Sequence, residues 1–299
     1  MTALAEEIRT FSASRWPAVL RVPLEFGRRK PVSAVAGLIV LFACLLALLA
    51  PWIAPYGPDD VDLIARLKGP GSAHWLGTDQ FGRDVLSRVM HGGRTSLTVG
   101  LGATALGVGM GVLFGLLSGY AGGFVDLVIQ RLMDAVMALP PIILLMVLAT
   151  TLSPSLRNVI IAISILVTPG AARVVRGATL SVKEMPYIEA ARATGAAAPR
   201  IVFRHVLPNV VAPIIVIASI TVGSAIIIEA ALGFLGLSVR PPTSTWGNML
   251  NNGAQTYMER APWLAAAPGA AIAVTVFSIN LLGDGLRDVL DPRLRGRGG

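Results

Sequence analysis

The sequence predicts an all-α integral membrane protein with six transmembrane helices. Three observations carry that expectation. The chain of 299 residues is 54% hydrophobic and only 14% charged, with a mean hydropathy of +0.69; a soluble domain carries about 25% charged residues. Long uncharged runs recur at 31–58, 95–125, 135–156, 158–172, 205–228 and 261–283. The basic residues gather in alternate segments between those runs, as they do in chains whose cytoplasmic segments hold the Lys and Arg.

The head, 1–31, is polar and holds Arg9, Arg15, Arg21, Arg28, Arg29 and Lys30. It is longer than the basic region of a cleaved signal, and the apolar run after it exceeds the ~7–15 residues such a signal uses. We therefore expect an uncleaved first span at 32–54, with the head in the cytoplasm. Trimming the other runs at Gly, Pro and charge gives spans at 95–117, 128–150, 157–175, 209–236 and 264–284. A crossing needs about 20 apolar residues. Six crossings return the tail, 286–299, to the cytoplasmic side. The chain divides into the head, a first span with its outer loop (32–94), a core of spans (95–285) and the tail.

Each element carries features of its own. In the outer loop, Val85, Leu86, Val89 and Met90 oppose Arg83, Asp84 and Arg88 over 82–91, which reads as a short amphipathic helix on the outer membrane surface. The second span is rich in Gly (100, 102, 107, 109, 111, 115, 119), a composition that lets membrane helices pack closely. Near the start of the third span stand Asp126, Arg131 and Asp134. Arg131 and Asp134, three apart, are placed to pair on one helix face, as an anchor at the inner membrane edge or as part of a gate. Pro140-Pro141 and Pro169-Gly170 are expected to break spans three and four, where broken helices line protein or water; Pro140 and Pro169 are therefore candidate pathway residues. Glu229 lies alone in the fifth span. No further acid or His accompanies it there, so a proton relay is not indicated. We expect a polar contact at the outer pathway or with a sister chain.

Several function classes find no support. No basic cluster is interleaved with stacking aromatics, so nucleic acid is not an expected partner. Cys44 is alone and forms no internal disulfide. His74, His91 and His205 are far apart, and neither HExxH nor CxxC occurs, so no metal site is proposed. The lysines read Lys30-Pro31, Lys68-Gly69 and Lys183-Glu184, so no phosphate-binding G-K-[ST] loop is present. No catalytic residues are assigned: a membrane-embedded enzyme would need a paired His/Asp set or a GxSxG, and a passive anchor would leave the inside segment without a purpose.

That segment, 176–208, contains YIEAARATGAAAPRIVFRHVLPN. Pro186 suits a first helical turn, Glu189 complements the helix dipole, and Gly195 is a natural left-handed cap. Pro199 starts a second short helix, which Pro208 is expected to end. Small residues at 190, 191, 193 and 196–198 leave the surface flat. On composition alone, the stretch reads first as an ordinary basic cytoplasmic loop.

Its spacing is more specific. Glu189-Ala190-Ala191, Gly195 and the ending His205-Val206-Leu207-Pro208 resemble the EAA loop of permease subunits in binding-protein-dependent ATP-binding-cassette importers. His205 stands where the general pattern has an apolar residue, but RHVLPN resembles the peptide-transporting branch. GTDQFGRDVLSRVMHGGRTSL (77–97), EAALGFLGLSVRPPTSTWGNML (229–250) and LLGDGLRDVLDPRLRG (281–296) resemble C-type subunits of dipeptide and oligopeptide permeases. The match runs over roughly 32–296.

The resemblance implies a type I importer permease architecture with a cytoplasmic coupling helix, in a bacterial cytoplasmic (inner) membrane, working by alternating access. It implies a sister permease subunit, two ATPase subunits that hold the ATP and magnesium, an extracytoplasmic binding protein, a peptide substrate and membrane lipid. Glu189, Ala190, Ala191, Arg192, Gly195, Arg200, His205 and Pro208 are the residues expected to meet the ATPase. Nickel or another small solute on the same architecture is the alternative cargo.

Overall fold

The computed structural model of the protein describes residues 30–290. The expectations for the head before Lys30 and for the tail after Leu290 lie outside the described residues. Within them the regular structure is helical, with one isolated bridge between Thr78 and Asp84 and no strand.

Helix α1, Pro31–Ile53, opens with Pro at its first turn. It buries only a thin line of small residues, Ser33, Ala36, Ala47 and Ala50, and exposes Leu38, Phe42, Leu48 and Trp52. In water such a helix would be untenable; in lipid it is an outer post of the bundle. The loop that follows closes on itself before α2, Val85–Ala121, begins. At about 1.5 Å per residue, this helix of 37 residues is ~55 Å long and outreaches a hydrocarbon core of ~30 Å.

The 82–91 stretch is therefore not a separate helix lying on the membrane. Residues 85–91 are the first turns of α2, and the polar residues expected to face water are enclosed: Asp84 is 3% and Arg88 7% exposed. Asp84 caps α2, its Oδ2 accepting from the Ser87 amide at 2.8 Å and the Ser87 hydroxyl at 2.7 Å, while Oδ1 lies 3.0 Å from His74 Nδ1. Arg88 donates to the Pro58 carbonyl (2.7 Å) and to Asp59 (3.2 Å). Arg83 pairs with Asp79 at 2.7 Å. Buried charge persists where it is paired, and here the outer loop supplies the partners.

Third in the bundle is a broken element. Helices α3, Gly123–Met137, and α4, Pro141–Thr151, meet at an angle of 88°. Pro140 and Pro141 lack amide hydrogens, and each disfavours helix in the residue before it. Among the described residues, five helices are long and apolar enough to cross a membrane; the bent pair makes a sixth if it is counted as one crossing.

Helix α5, Leu156–Lys183, is capped by Ser155, whose hydroxyl accepts from the Asn158 amide at 3.3 Å. It runs unbroken through Pro169-Gly170, contrary to expectation. The Thr168 hydroxyl bridges the Ser164 carbonyl (2.7 Å) and the Gly107 carbonyl of α2 (3.2 Å) beside the proline. Helices α2 and α5 approach closely along Gly107, Gly111, Gly115 and Gly119, one per turn. A Cβ at Gly111 would stand 2.5 Å from Ala171 Cβ and 2.9 Å from the Ala172 amide nitrogen. Packing of this kind drives helix association in lipid.

Short helices α6, Pro186–Ala193, and α7, Ala198–Ile201, follow, and a π turn, Val202–Val206, leads into α8, Leu207–Phe234. Pro208 does not end the second helix; Ala198–Phe234 forms one long apolar helical run. The π turn explains the difference. Pro208 has no amide hydrogen and its ring crowds the carbonyl four residues back; widening the turn accommodates it. The Leu207 amide bonds to Val202 instead, and Asn209 Nδ2 donates to the His205 carbonyl at 2.6 Å.

Beyond α8, the segment before the last span contains helix α9, Trp246–Thr256. Thr245 caps it through the Asn248 amide at 3.1 Å. Its buried positions, Trp246, Gly247, Met249 and Gly253, fall on one helical face, a signal present in the sequence. The last span, α10, is Trp263–Leu290. Lys30 Nζ meets Asp288 Oδ2 at 2.6 Å, so the start of α1 and the end of α10 share one side of the bundle.

Candidate functional site

The hairpin α6–α7 is shaped by its cap. The Gly195 amide donates to the Arg192 carbonyl (2.9 Å) and the Ala196 amide to the Ala191 carbonyl (3.1 Å). These two bonds form a Schellman closure, with Gly195 at φ +77°, a region that side-chain-bearing residues rarely adopt. The chain thus reverses in a few residues at the tip.

The hairpin has two faces. Ile188, Ile201 and Val206 are fully or almost fully buried and pack with Leu116 of α2, Val175 of α5 and Val210 of α8. Glu189, Ala190, Arg192, Gly195, Arg200 and Pro208 are exposed, and Ala191 and His205 are half-buried. The expected partner-facing residues therefore lie mostly on one side of a segment whose other side is bolted to three long helices. Small residues on the exposed face admit a close approach, and Arg192 and Arg200 supply charge.

Next to the hairpin, two acidic residues of α3 hold α5. Asp126 accepts from Arg176 Nε at 2.6 Å and from the Ser118 hydroxyl. Asp134 accepts from Arg173 Nη2 at 2.6 Å. The expected Arg131–Asp134 pair is present at 3.7 Å, but Arg131 is 77% exposed and Arg173 is the nearer partner. Sequence spacing shows partners within one helix; Arg173 and Arg176 come from another.

Glu229 sits elsewhere than expected. Its carboxyl is enclosed within the chain, 0% exposed, with the Ser96 hydroxyl of α2 donating to one oxygen (2.9 Å) and the Ser238 hydroxyl to the other (3.0 Å). Ser96 in turn accepts from the Trp246 amide at 3.2 Å. Glu229 therefore joins α8, α2, the outer segment and α9, and presents nothing to a pathway wall or a neighbouring chain. Ser96 and Ser238 were missed because neither carries a motif. Glu229→Ala leaves two buried hydroxyls without an acceptor, at about 1–3 kcal/mol; Glu229→Gln keeps an acceptor. The expected result is a lower thermal midpoint for Ala than for Gln in purified protein. Equal midpoints would remove the bracing role.

Of the two proline candidates, Pro140 is exposed at the break between α3 and α4, whereas Pro169 is buried inside α5. Among the described residues no group of three or more metal-ligating side chains gathers.

Comparison with known sequences gives two matches. Residues 111–296 match the family described as "binding-protein-dependent transport system inner membrane component". Residues 28–70 match the "N-terminal TM domain of oligopeptide transport permease C". The chain is 42% identical over 267 residues to a probable D,D-dipeptide transport system permease protein of Escherichia coli (strain K12), covering 89% of each. It is 44% identical over 275 residues to a glutathione transport system permease protein of Pectobacterium atrosepticum, covering 91% of each. A di/tripeptide transport system permease protein of Pseudomonas aeruginosa is 44% identical over 270 residues, covering 88% of this chain and 89% of that one. Among solved structures, an inward-facing methionine ABC transporter chain superposes with a TM-score of 0.56 at 20% identity, over 69% of this chain and 97% of that one. The last likeness concerns the fold alone.

Proposed function

We propose, for a chain that belongs to the binding-protein-dependent transport system inner membrane component family, that it is one of two pore-forming subunits of an ATP-driven importer of short peptides. A sister permease completes the pathway, an extracytoplasmic binding protein delivers the cargo, and two separate ATPase subunits hold ATP and magnesium. The ATPases grip the exposed face of the hairpin. Their closure moves α6–α7, and with it the helices on which Ile188 and Ile201 are seated, so that access alternates between the two sides.

The observation that carries this reading is the two-faced hairpin: a rigid, Gly195-closed tip with one face buried against α2, α5 and α8 and the other free for a partner. Short-peptide cargo is supported by relatives described as carrying a D,D-dipeptide, glutathione and di/tripeptides.

The proposal places the hairpin, and with it both chain ends, in the cytoplasm of a bacterial cell. A reporter fused after Arg192 is then active only inside and one after Asn251 only outside; the reverse pattern overturns the topology. For function, the tagged chain expressed with its sister and ATPases is expected to retain both. Proteoliposomes of that complex are expected to take up labelled dipeptide only with ATP on the hairpin side and binding protein on the other. Uptake independent of either overturns the reading.

A further inference from the structure

Between the inner half of α2 and the base of α7 lies an open groove of about 380 Å³. Its walls are apolar: Val112, Leu113, Leu116 and Leu117 on one side, Val202 and Phe203 on the other. Leu113, Leu117 and Phe203 are 55%, 49% and 68% exposed. Gly109 forms part of its floor, and a Cβ there would meet no atom within 4 Å. The opposite face of α2 is the one packed on α5, so the groove belongs to the outside of the bundle.

One end of the groove differs from the rest. Tyr120 closes it, and two cations lie over the Tyr120 ring: Lys183 Nζ at 5.9 Å and the Arg192 guanidinium at 5.7 Å from its centroid. Arg200 follows Pro199, another groove residue. None of the three cations takes part in an ion pair among the described residues. An apolar trough of this size with cations at one mouth complements a molecule with a hydrocarbon tail and an anionic head. A purely apolar partner helix would satisfy the trough but leave the cations without an anion.

We propose that this groove binds an anionic phospholipid of the inner leaflet, its acyl chain along Leu113, Leu117 and Phe203 and its phosphate against Lys183 and Arg192. The leaflet assignment rests on the topology proposed above; the groove itself does not. Because Arg192 belongs to the hairpin, the headgroup touches the element proposed to meet the ATPase, and lipid charge then bears on coupling.

The test uses the purified full-length chain in detergent with equal amounts of phosphatidylglycerol and phosphatidylcholine of the same acyl composition, read by native mass spectrometry. The wild-type chain is expected to retain phosphatidylglycerol preferentially. Lys183→Gln lowers that preference about fivefold, the worth of one cation near an anionic surface. Gly109→Leu, which fills the trough from its floor, lowers retention of both lipids; Leu117→Trp does the same from an exposed position, should the first variant not fold. No preference in the wild-type chain, or unchanged retention in a folded trough-filling variant, overturns the proposal. So does retention by the isolated chain that disappears on assembly with its sister, since the groove is then a subunit contact. Micelles have no sides, so reversed topology reporters with lipid still held would overturn the leaflet and the topology while leaving the groove.

Discussion

Gly195→Asp abolishes uptake while leaving the chain in the membrane. A Cβ at Gly195 meets no atom of this chain within 4 Å, so the new carboxylate points away from the bundle, and no packed contact is lost. The backbone cost of a side chain at φ +77° is about 1–2 kcal/mol, and Asp tolerates that region better than most residues. The hairpin therefore survives. What changes is its free face: in the proposed complex, an unpaired carboxylate is pressed into the interface with the ATPase. Such a charge costs about 3 kcal/mol, roughly a hundredfold in association. Membrane levels equal to wild type, with the ATPases lost on affinity purification and uptake at background, are the expected measurements. ATPase retention at wild-type yield with normal uptake would sink the coupling role of the hairpin.

The second large effect falls on accumulation. Gly111→Leu forces α2 and α5 apart, because its Cβ alone would overlap backbone atoms at Ala172 as well as Ala171. Helix backbone cannot rotate away as a side chain can, so a strain at or above the usual ~1–3 kcal/mol of overpacking follows. The Thr168–Gly107 bond crosses that interface, and separation weakens it. Gly111→Leu is expected to lower the membrane level several-fold. Gly109→Leu, two residues away and facing open space, is expected to accumulate normally. Equal levels for the two variants would show that the Gly row is not an interface requirement.

Much of the architecture was legible because lipid imposes simple rules. Uncharged runs of about 20 residues mark crossings, and the structure has helices at each predicted span. The hairpin was legible for a local reason: Pro186, Gly195 and Pro199 specify starts and turns within a few residues of themselves. Contacts between distant segments were not legible. Arg88 looks solvent-facing by helical pattern, and only the fold brings Asp59 and the Pro58 carbonyl to it. Glu229 looks isolated because Ser96 and Ser238 are ordinary polar residues until three helices converge on them. Proline was legible at one of three places. Pro140-Pro141 breaks its helix as expected, whereas Pro169 and Pro208 are absorbed, one inside a continuous helix and one by a widened turn. The difference lies in the neighbours available to accept or donate, which spacing does not record.

The run Ala198–Phe234 spans 37 residues, about 55 Å from end to end. Its outer end is fastened through Glu229, while its inner end carries the hairpin. Mechanically it is a cantilever, clamped at one end and loaded at the other. Bending then concentrates where the internal ladder is thinnest. That place is the π turn at Val202–Val206, with Pro208 and Pro213 just beyond it, not the clamped tip. Under the coupling proposed above, a push on the hairpin first flexes this turn and then passes along the rest of the run to the Glu229 clamp.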